Sequence, residues 1–274
     1  MRGWPQPTRP FGVMGIVNVT PDSFFDGGQY VAPCQAVQRV RACVDDGADI
    51  VDLGAASSRP GSRPLSADEE VARLLPVLMG LQQERACTLS VDTWRSATAA
   101  MALQRGAGII NDISACQWDP ALLDVLVQYR PGYVLMHCKG HPKDMQQSPD
   151  YNDVVSEVLS FFENALNKIV RAGLPEENIA LDPGIGFGKR LQDNLRLLAN
   201  VDRLTSFGRP ILVGISMKSM FGELLGLPAG ERGAATQTAT ALLWHKGVTW
   251  HRVHHVAMAV QGLHLACAIR GGSC

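Results

Sequence analysis

Short apolar runs recur along the chain, and each run ends on a small or polar residue. The runs span residues 13–17, 50–53, 89–91, 109–110, 133–136, 179–181, 211–214 and 250–253. They lack strict alternation of apolar and polar positions and are rich in β-branched residues, which is typical of parallel strands buried on both faces. The pattern therefore predicts a parallel sheet built from these runs.

The segments between the runs predict helices. Ser66 and Glu69 have the spacing of a capping box just ahead of an apolar stretch. Between Asn152 and Gly173, apolar residues recur at helical spacing, and the glycine fits the end of a helix. Repeated strand–helix units in a chain of 274 residues predict an α/β fold, the (β/α)8 or TIM barrel. Because no low-complexity linker divides the chain, we expect a single domain over residues 1–274, with the barrel core at about 11–270.

A barrel also predicts where a functional site lies. Catalytic groups of this fold stand in the loops that follow the carboxyl ends of the strands. Each polar residue that closes a run could by itself be only the cap of the next helix. Taken together they favour a ligand-binding mouth, and they are Asn18, Asp92, Asn111, His137, Asp182, Lys218 and His254.

Charge and composition narrow the class of ligand. The chain has 25 Lys and Arg against 26 Asp and Glu, so its net charge of −1 gives no broad footprint for nucleic acid or an anionic membrane. An anionic ligand would therefore need a local basic cluster. The amino terminus lacks the organisation of a signal peptide, and no apolar run is long enough for a membrane span. The seven cysteines are scattered without C-x-x-C spacing, which argues against disulfides and structural zinc and predicts a cytoplasmic protein.

Basic and amide side chains suggest where an anion would bind. Arg59 and Arg63 stand among turn-forming residues after the second run, and guanidinium groups suit phosphate oxygens. Arg252 and His254 lie two residues apart and so share one side of a strand, although an isolated Arg-x-His is more often structural. With Asn18 they form a candidate pyrophosphate pocket. The long loop at 18–28 offers oxygens for Mg²⁺ beside such a ligand, or simply contains a turn.

Three further polar residues suit a flat heterocycle. Asp92, Asn111 and Asp182 close strands, and a carboxylate and an amide can bind the guanidine-like edge of a pterin. A buried carboxylate is costly without a partner, so a ligand or a cation must compensate it. The expected cation is Lys218.

The glycine-rich segment at 182–189 does not match a nucleotide-binding loop. Its glycines follow G-x-G-x-G, and Lys189 is followed by Arg190 and not by Ser or Thr. The segment is better interpreted as a flexible backbone that lets Phe187 cover a flat aromatic ligand. His137 and His141 have no further ligands at zinc spacing, so we expect loop or ligand contacts there.

Eight short motifs, in order, resemble those of the dihydropteroate synthases. They are MGIVNVTPDSF (14–24), SSRPG (57–61), SVDT (90–93), INDI (110–113), LMH (135–137), DPGIGFGK (182–189), SMKS (216–219) and RVH (252–254). The resemblance covers roughly residues 11–270. It implies a transferase of folate biosynthesis that condenses 7,8-dihydropterin-6-methyl pyrophosphate with p-aminobenzoate and releases pyrophosphate. It also implies a homodimer built on the last helices, and a sulfonamide target.

The resemblance also implies a role for individual residues. The catalytic residues would be Lys218, Asp92 and Asp182. The pterin would be bound by Asp92, Asn111, Asp182, Lys218, Met136 and Phe187. The pyrophosphate would be bound by Asn18, Arg59, Arg252 and His254, with Mg²⁺ near Asn18. The p-aminobenzoate pocket would be formed by Thr20, Pro21, Asp22, Ser58, Pro60, Phe187, Lys218 and Ser219.

The sequence departs from the family pattern at three positions. Ala56 stands where the family often has Glu, Met217 where it usually has Arg, and His255 where it commonly has Asp. Met217 removes a positive charge beside Lys218, unless its side chain points away from the site or Arg63 supplies the charge instead. Two alternatives remain open, of which Met217 and Ala56 suggest only the first. One is a catalytically silent pterin-binding paralogue, and the other is a methyltetrahydrofolate-dependent methyltransferase, which would need no pyrophosphate pocket.

Overall fold

A computed structural model describes residues 3–19, 31–55, 65–82, 87–141, 145 and 149–271. Its strands are β1 (Gly12–Asn18), β2 (Ile50–Gly54), β3 (Thr88–Asp92), β4 (Ile109–Asp112), β5 (Gly132–Met136), β6 (Ile179–Asp182), β7 (Leu212–Val213) and β8 (Trp250–Val253). All neighbouring strands run parallel, in the order β6-β5-β4-β3-β2-β1-β8-β7. Each predicted strand is present.

The sheet closes into a barrel between β6 and β7. Leu181 pairs with Ile211 through one isolated parallel bridge, and the Leu181 N–H donates to the Pro210 carbonyl at 2.9 Å. Since every strand then has a neighbour on both sides, the predicted (β/α)8 fold is confirmed.

Helices separate the strands. They are α1 (Val31–Asp45), α2 (Ala67–Gly80), α3 (Ser96–Gln104), α4 (Leu122–Tyr129), α5 (Val154–Ala172), α6 (Leu191–Ala199), α7 (Ser219–Leu225), α8 (Gly233–His245) and α9 (Val256–Ile269). The predicted capping box opens α2, with Ser66 and Glu69 each accepting the other's backbone N–H. Gly173 ends α5 at φ 117°, a left-handed conformation that favours glycine.

Two apolar cores surround the strands, as expected for strands buried on both faces. Residues that point outward, such as Val13 and Leu53, pack beneath the helices. Residues that point inward fill the floor of the barrel, where Met14 and Trp250 are fully or almost fully buried. The amino-terminal segment covers this floor, because Trp4 packs edge-on against Trp250 with ring centroids 5.6 Å apart.

Two features that bear on the cellular compartment are membrane-spanning helices and disulfides. In the described residues no helix is long and apolar enough to cross a membrane. The thiols of Cys34, Cys43, Cys116 and Cys138 are free. The expectation of no disulfide is wrong for Cys267, which is disulfide-bonded.

Candidate active site

The carboxyl ends of the strands bring the predicted polar residues to one end of the barrel. Asn18 is in register with Gly54, Gly54 with Asp92, and Asp92 with Asn111. On the other side of the barrel, Met136 is in register with Asp182. We call this end the barrel mouth, formed by Asn18, Asp92, Asn111, Asp182, Lys218, Arg252 and His254.

Arg252 is the cation that pairs with the acids of β2 and β3. Its Nε donates to Asp52 Oδ2 at 2.7 Å, and its Nη2 donates to Asp92 Oδ2 at 2.9 Å. Lys218 was the cation expected to compensate Asp92 and Asp182, and for Asp92 this expectation is wrong, because Arg252 pairs with it. The predicted contact of Arg252 with pyrophosphate stays a prediction, and any such contact starts from a guanidinium already held by two carboxylates.

Asp52 is a residue of this network that the sequence interpretation missed. It is fully buried in the middle of β2, and its Oδ2 also accepts from Asn111 Nδ2 at 2.8 Å. One carboxylate oxygen thus orients both a cation and an amide of the barrel mouth. The signal was present in the sequence, because a carboxylate inside an apolar buried strand needs a partner.

Lys218 is bound by the glycine-rich segment after β6. Its ammonium donates to the carbonyl of Ile185 and lies 4.3 Å from the centre of the Phe187 ring. No ion pair joins it to Asp182 within the described residues. Asp182 instead accepts the Gly184 N–H at 2.8 Å. Burial lowers the pKa of Lys218 to about 8, while the charge of Asp182 raises it.

The two acids predicted to be catalytic have raised pKa values. Burial raises the pKa of Asp92 to about 7, and the adjacent Arg252 acts in the opposite direction. Burial also raises the pKa of Asp182, against the Gly184 N–H and the positive charges of Lys218 and Arg252. Raised acid pKa values next to buried cations are typical of functional sites.

The glycines of this segment serve close packing more than flexibility. A Cβ on Gly184 would lie 1.9 Å from the His137 carbonyl oxygen, and one on Gly188 would lie 2.2 Å from the Lys139 carbonyl oxygen. Both glycines have positive φ, 66° and 61°. The loop after β6 is therefore packed directly against the backbone after β5, and it presents the Phe187 ring to Lys218.

His137 takes part in this packing between the loops that follow β5 and β6. It is buried, and its Nδ1 lies 2.9 Å from the ammonium of Lys189. Burial, followed by the charge of Lys189, lowers the pKa of His137 to about 2, so the imidazole is neutral. No group of three or more His, Cys, Asp or Glu side chains that could hold a metal occurs in the described residues. For His137, the predicted contact with a loop is present, through Lys189.

The side of the barrel mouth near β1 and β8 carries the predicted anion ligands. The His254 ring Nδ1 lies 3.0 Å from Ser216 Oγ, which also accepts the His254 N–H at 3.2 Å. Asn18 ends β1 with a half-buried side chain. Together the barrel mouth offers carboxylates and an amide to a flat heterocycle, an ammonium above an aromatic ring, and a guanidinium close by.

Comparison with known proteins identifies the family. Residues 14–254 match the family described as "Pterin binding enzyme". The chain belongs to this family. The match begins within β1 and ends at His254, so it includes all of β2–β8, most of β1 and each residue of the barrel mouth.

Individual pterin-binding enzymes are similar over almost the full chain. A dihydropteroate synthase of Synechocystis sp. is 39% identical over 258 residues, which is 94% of this chain and 89% of the relative. The structure of Xanthomonas albilineans dihydropteroate synthase with 4-aminobenzoic acid superposes with a TM-score of 0.90 at 39% identity, covering 97% of this chain and 95% of the other. Yersinia pestis dihydropteroate synthase in a sulfonamide drug complex gives a TM-score of 0.89 at 39% identity, covering 95% and 94%.

Several predicted residues of this pterin-binding enzyme fall outside the described ranges. They are Thr20, Pro21, Asp22, Ala56, Ser58, Arg59, Pro60 and Arg63. Within those ranges, Met136 is buried at the end of β5, and Ser219 is exposed at the first position of α7. His255 is exposed just before α9.

Met217, the departure beside Lys218, has an unusual backbone conformation. Its φ is 59°, a left-handed value that is uncommon for a residue with a side chain. The Met217 N–H donates to Thr236 Oγ1 at 3.1 Å, and Met217 Sδ lies 4.0 Å from the same oxygen. The sulfur is therefore directed toward α8, in agreement with the interpretation that this side chain points away from the site.

Proposed function

We propose that this pterin-binding enzyme is a dihydropteroate synthase, which condenses 7,8-dihydropterin-6-methyl pyrophosphate with p-aminobenzoate. The observation that carries the proposal is the arrangement of Asp92, Asp182 and Arg252 in the barrel mouth, with Lys218 over the Phe187 ring. It supplies both the acceptors for a pterin edge and the cations for a pyrophosphate. The match to dihydropteroate synthases over nine-tenths of the chain supports the same function.

The pterin is recognised by complementary hydrogen bonds. Its amino and ring N–H groups donate to carboxylates, so Asp182 and Asp92 are the acceptors and Asn111 adds an amide. Lys218 donates to an acceptor on the ring, and Phe187 and Met136 pack on its faces. Binding a ligand with N–H donors favours the ionised acids, because hydrogen bonds to the charged form lower a raised pKa.

The proposed reaction transfers the pterin, through its methylene carbon, from a pyrophosphate oxygen to the amine nitrogen of p-aminobenzoate. The bond between the pterin methylene and the pyrophosphate oxygen breaks, and its electron pair leaves with pyrophosphate. The amine of p-aminobenzoate forms the new C–N bond and loses a proton. Asp92 and Asp182 stabilise positive charge that develops on the pterin, so the arylamine needs no strong base. The cations of the barrel mouth stabilise the leaving pyrophosphate.

Mg²⁺ is proposed as the cofactor on the pyrophosphate side. Asn18 offers an amide oxygen at the carboxyl end of β1, and Mg²⁺ is commonly held by one or two protein oxygens, substrate phosphates and water. The described residues fit such a site, with the pyrophosphate as the main ligand. When bound, the ion supplies charge neutralisation to the leaving group.

Removal of Mg²⁺ should affect the pyrophosphate part of the substrate and leave recognition of the pterin part unchanged. With excess EDTA, turnover should fall at least about 100-fold, because an unneutralised pyrophosphate is a poor leaving group. Binding of a pterin without phosphates, measured by calorimetry, should be unchanged. Full turnover in EDTA would exclude the metal from the proposal.

The deciding experiment is pyrophosphate release from the purified chain. The assay contains dihydropterin pyrophosphate and Mg²⁺, with and without p-aminobenzoate, and product is identified by mass spectrometry. Release that depends on p-aminobenzoate, with dihydropteroate formed, supports the proposal. Pterin binding without any product would identify the catalytically silent paralogue, and methyl transfer from methyltetrahydrofolate to a corrinoid would identify the methyltransferase. A sulfonamide should compete with p-aminobenzoate in this assay.

We further propose a cytoplasmic homodimer that associates through α8 and α9. An apolar groove between these helices is lined by Thr238, Ala241, Leu242, His245, Gly262, Leu265, Ala266 and Ile269. Leu242, Leu265 and Ile269 are 60%, 63% and 74% exposed. Large exposed apolar patches of this kind mark interaction surfaces.

A charge placed in the groove tests the dimer. Leu265→Glu should shift the mass measured by sedimentation from dimer to monomer, because a buried carboxylate would have no partner in the interface. Met79→Glu, at a similarly exposed position of α2, is the control and should remain dimeric. A wild-type monomer at micromolar concentration would contradict this part of the proposal.

A further inference from the structure

Lys189 is a buried ammonium whose hydrogen-bond partners in the described part of the chain are all neutral. Its side chain is almost fully enclosed, and Nζ donates to the carbonyl oxygens of Gly184 at 2.9 Å and Phe187 at 3.0 Å. His137 contributes its ring Nδ1 at 2.9 Å and its carbonyl oxygen at 3.3 Å. No carboxylate of the described residues forms an ion pair with it. Burial lowers the pKa of Lys189 to about 7, because its ammonium is surrounded by neutral acceptors that belong to one turn and to His137.

The turn that Lys189 holds is the one that holds Lys218. Lys189 binds the carbonyls of Gly184 and Phe187, and Lys218 donates to the carbonyl between them, that of Ile185. The Phe187 ring lies 4.3 Å from the Lys218 ammonium. Any shift of the turn at 184–187 therefore moves both contacts of Lys218 at once.

Lys189 also connects this turn to the barrel itself. Lys189 contacts His137, the residue directly after β5, and so connects the turn to the end of that strand. At this end of β5, Met136 is in register with Asp182. Gly184 also packs directly against the His137 carbonyl, which is a second contact between the turn and the end of β5. The position of Lys218 is thus set relative to Asp182 through backbone atoms and one buried ammonium.

We propose that Lys189 is a positioning residue for Lys218. It does not touch the substrates. It fixes the turn at 184–187, and the Ile185 carbonyl and the Phe187 ring then hold the Lys218 ammonium where it contacts the pterin and p-aminobenzoate. The identity of these ligands rests on the proposed function, whereas the coupling between the two lysines does not.

A double-mutant cycle tests the coupling. Lys189→Met keeps an unbranched side chain that is one atom shorter and removes the amine, and it is combined with Lys218→Ala. In the wild-type background, Lys189→Met should lower kcat for dihydropteroate formation by about 10-fold to 100-fold, because small misplacements of a catalytic group have such effects. In the Lys218→Ala background the loss should be under about twofold, since residues that act through each other are not additive. Equal losses in both backgrounds would show a merely structural role and overturn the proposal.

The control for the cycle is Lys246→Met. Lys246 also donates to a backbone carbonyl, that of Ala199 at 2.9 Å, but on the exposed surface. This variant should keep wild-type kcat in both backgrounds. If Lys189→Met does not fold, Lys189→Gln takes its place in the same cycle, because its amide still donates to carbonyl oxygens.

A second measurement does not depend on activity. Reductive methylation of lysine amines, followed by mass spectrometry, reports the reactivity of Lys218 directly. In the Lys189 variant, Lys218 should react several-fold faster, while the exposed Lys168 of α5 should be unchanged. Unchanged reactivity of Lys218 would overturn the proposal even if the wild type makes no dihydropteroate. Failure of the proposed function alone would show as a faster-reacting Lys218 in a protein without turnover.

Discussion

At the scale of single residues, Arg252 organises the charges of the barrel mouth. It is shared by Asp52 at 2.7 Å and Asp92 at 2.9 Å, so two acids face one cation. Because Asp52 also accepts from Asn111, it determines the direction of two groups predicted to contact substrate. Burial raises the pKa of Asp92 to about 7, so the charge of Arg252 only partly offsets the burial of this second carboxylate.

Removing Asp52 should therefore affect both stability and binding. Asp52→Ala leaves the partly buried Arg252 with one partner, and we expect the free energy of unfolding to fall by about 3 kcal/mol. Pterin affinity should weaken about 10-fold or more, because Arg252 and Asn111 lose their orientation. Chemical denaturation and calorimetry measure the two effects. Ser90→Ala, at the register partner of Asp52 in β3, is the control and should not lower stability by more than about 0.5 kcal/mol, because the buried Ser90 Oγ forms no hydrogen bond in the described residues.

Individual residues also show which features can be predicted from the sequence and which depend on the fold. The strands, the capping box at Ser66 and the end of α5 at Gly173 were predictable, because they depend on local periodicity and capping chemistry. The partner of Lys218 was not, because it depends on the direction of the Ile185 carbonyl within a turn of positive-φ glycines. The direction of the Met217 side chain depends in the same way on its φ of 59°.

At the scale of elements, the loops after β5 and β6 form one packed unit. Gly184 approaches the His137 carbonyl too closely for any side chain, and the Tyr151 hydroxyl donates to the Gly188 carbonyl at 2.7 Å. Lys189 joins the same two loops from within. The sequence indicated a glycine-rich loop that carries Phe187, but the partner loop could be identified only from the fold, since it lies more than 40 residues earlier in the chain.

Gly184→Ala should break this unit. Gly208 offers a matched control, because its φ of 63° is close to the 66° of Gly184 while nothing lies within 4 Å of a Cβ there. Both changes carry the backbone cost of a left-handed alanine, about 1 kcal/mol, and only Gly184→Ala adds the collision. We expect the loss of unfolding free energy to be at least about 2 kcal/mol larger for Gly184→Ala. Similar losses in thermal denaturation would contradict the packing role.

At the scale of the whole molecule, buried neutral histidines make stability depend on pH. Burial lowers the pKa of His251, between the barrel and its helices, to about 3, and that of His137 to about 2. In the unfolded chain a histidine has a pKa of about 6.5. As the pH falls below that value, the unfolded state binds protons that the folded state does not. These histidines therefore lower the free energy of unfolding progressively between pH 6.5 and about 3.

Replacing His251 should remove its share of this dependence. His251→Gln should be less stable than wild type near pH 8, since a well-packed ring is lost, and the difference should shrink as the pH falls below about 6.5. Urea denaturation at pH 8, 6 and 5 measures it. His255→Gln, at an exposed position, is the control. A stability difference that does not change with pH would show that His251 titrates in the folded state as it does in water.

The barrel is joined least extensively where β6 meets β7. A single bridge between Leu181 and Ile211 closes it there, and β7 is only two residues long. Asp182 and Lys218 stand on the two sides of this seam. A pterin bound to both residues would connect β6 to β7, so ligand binding would stabilise the closed barrel. The folded cylinder would then be least prone to open at the moment when its substrate is present.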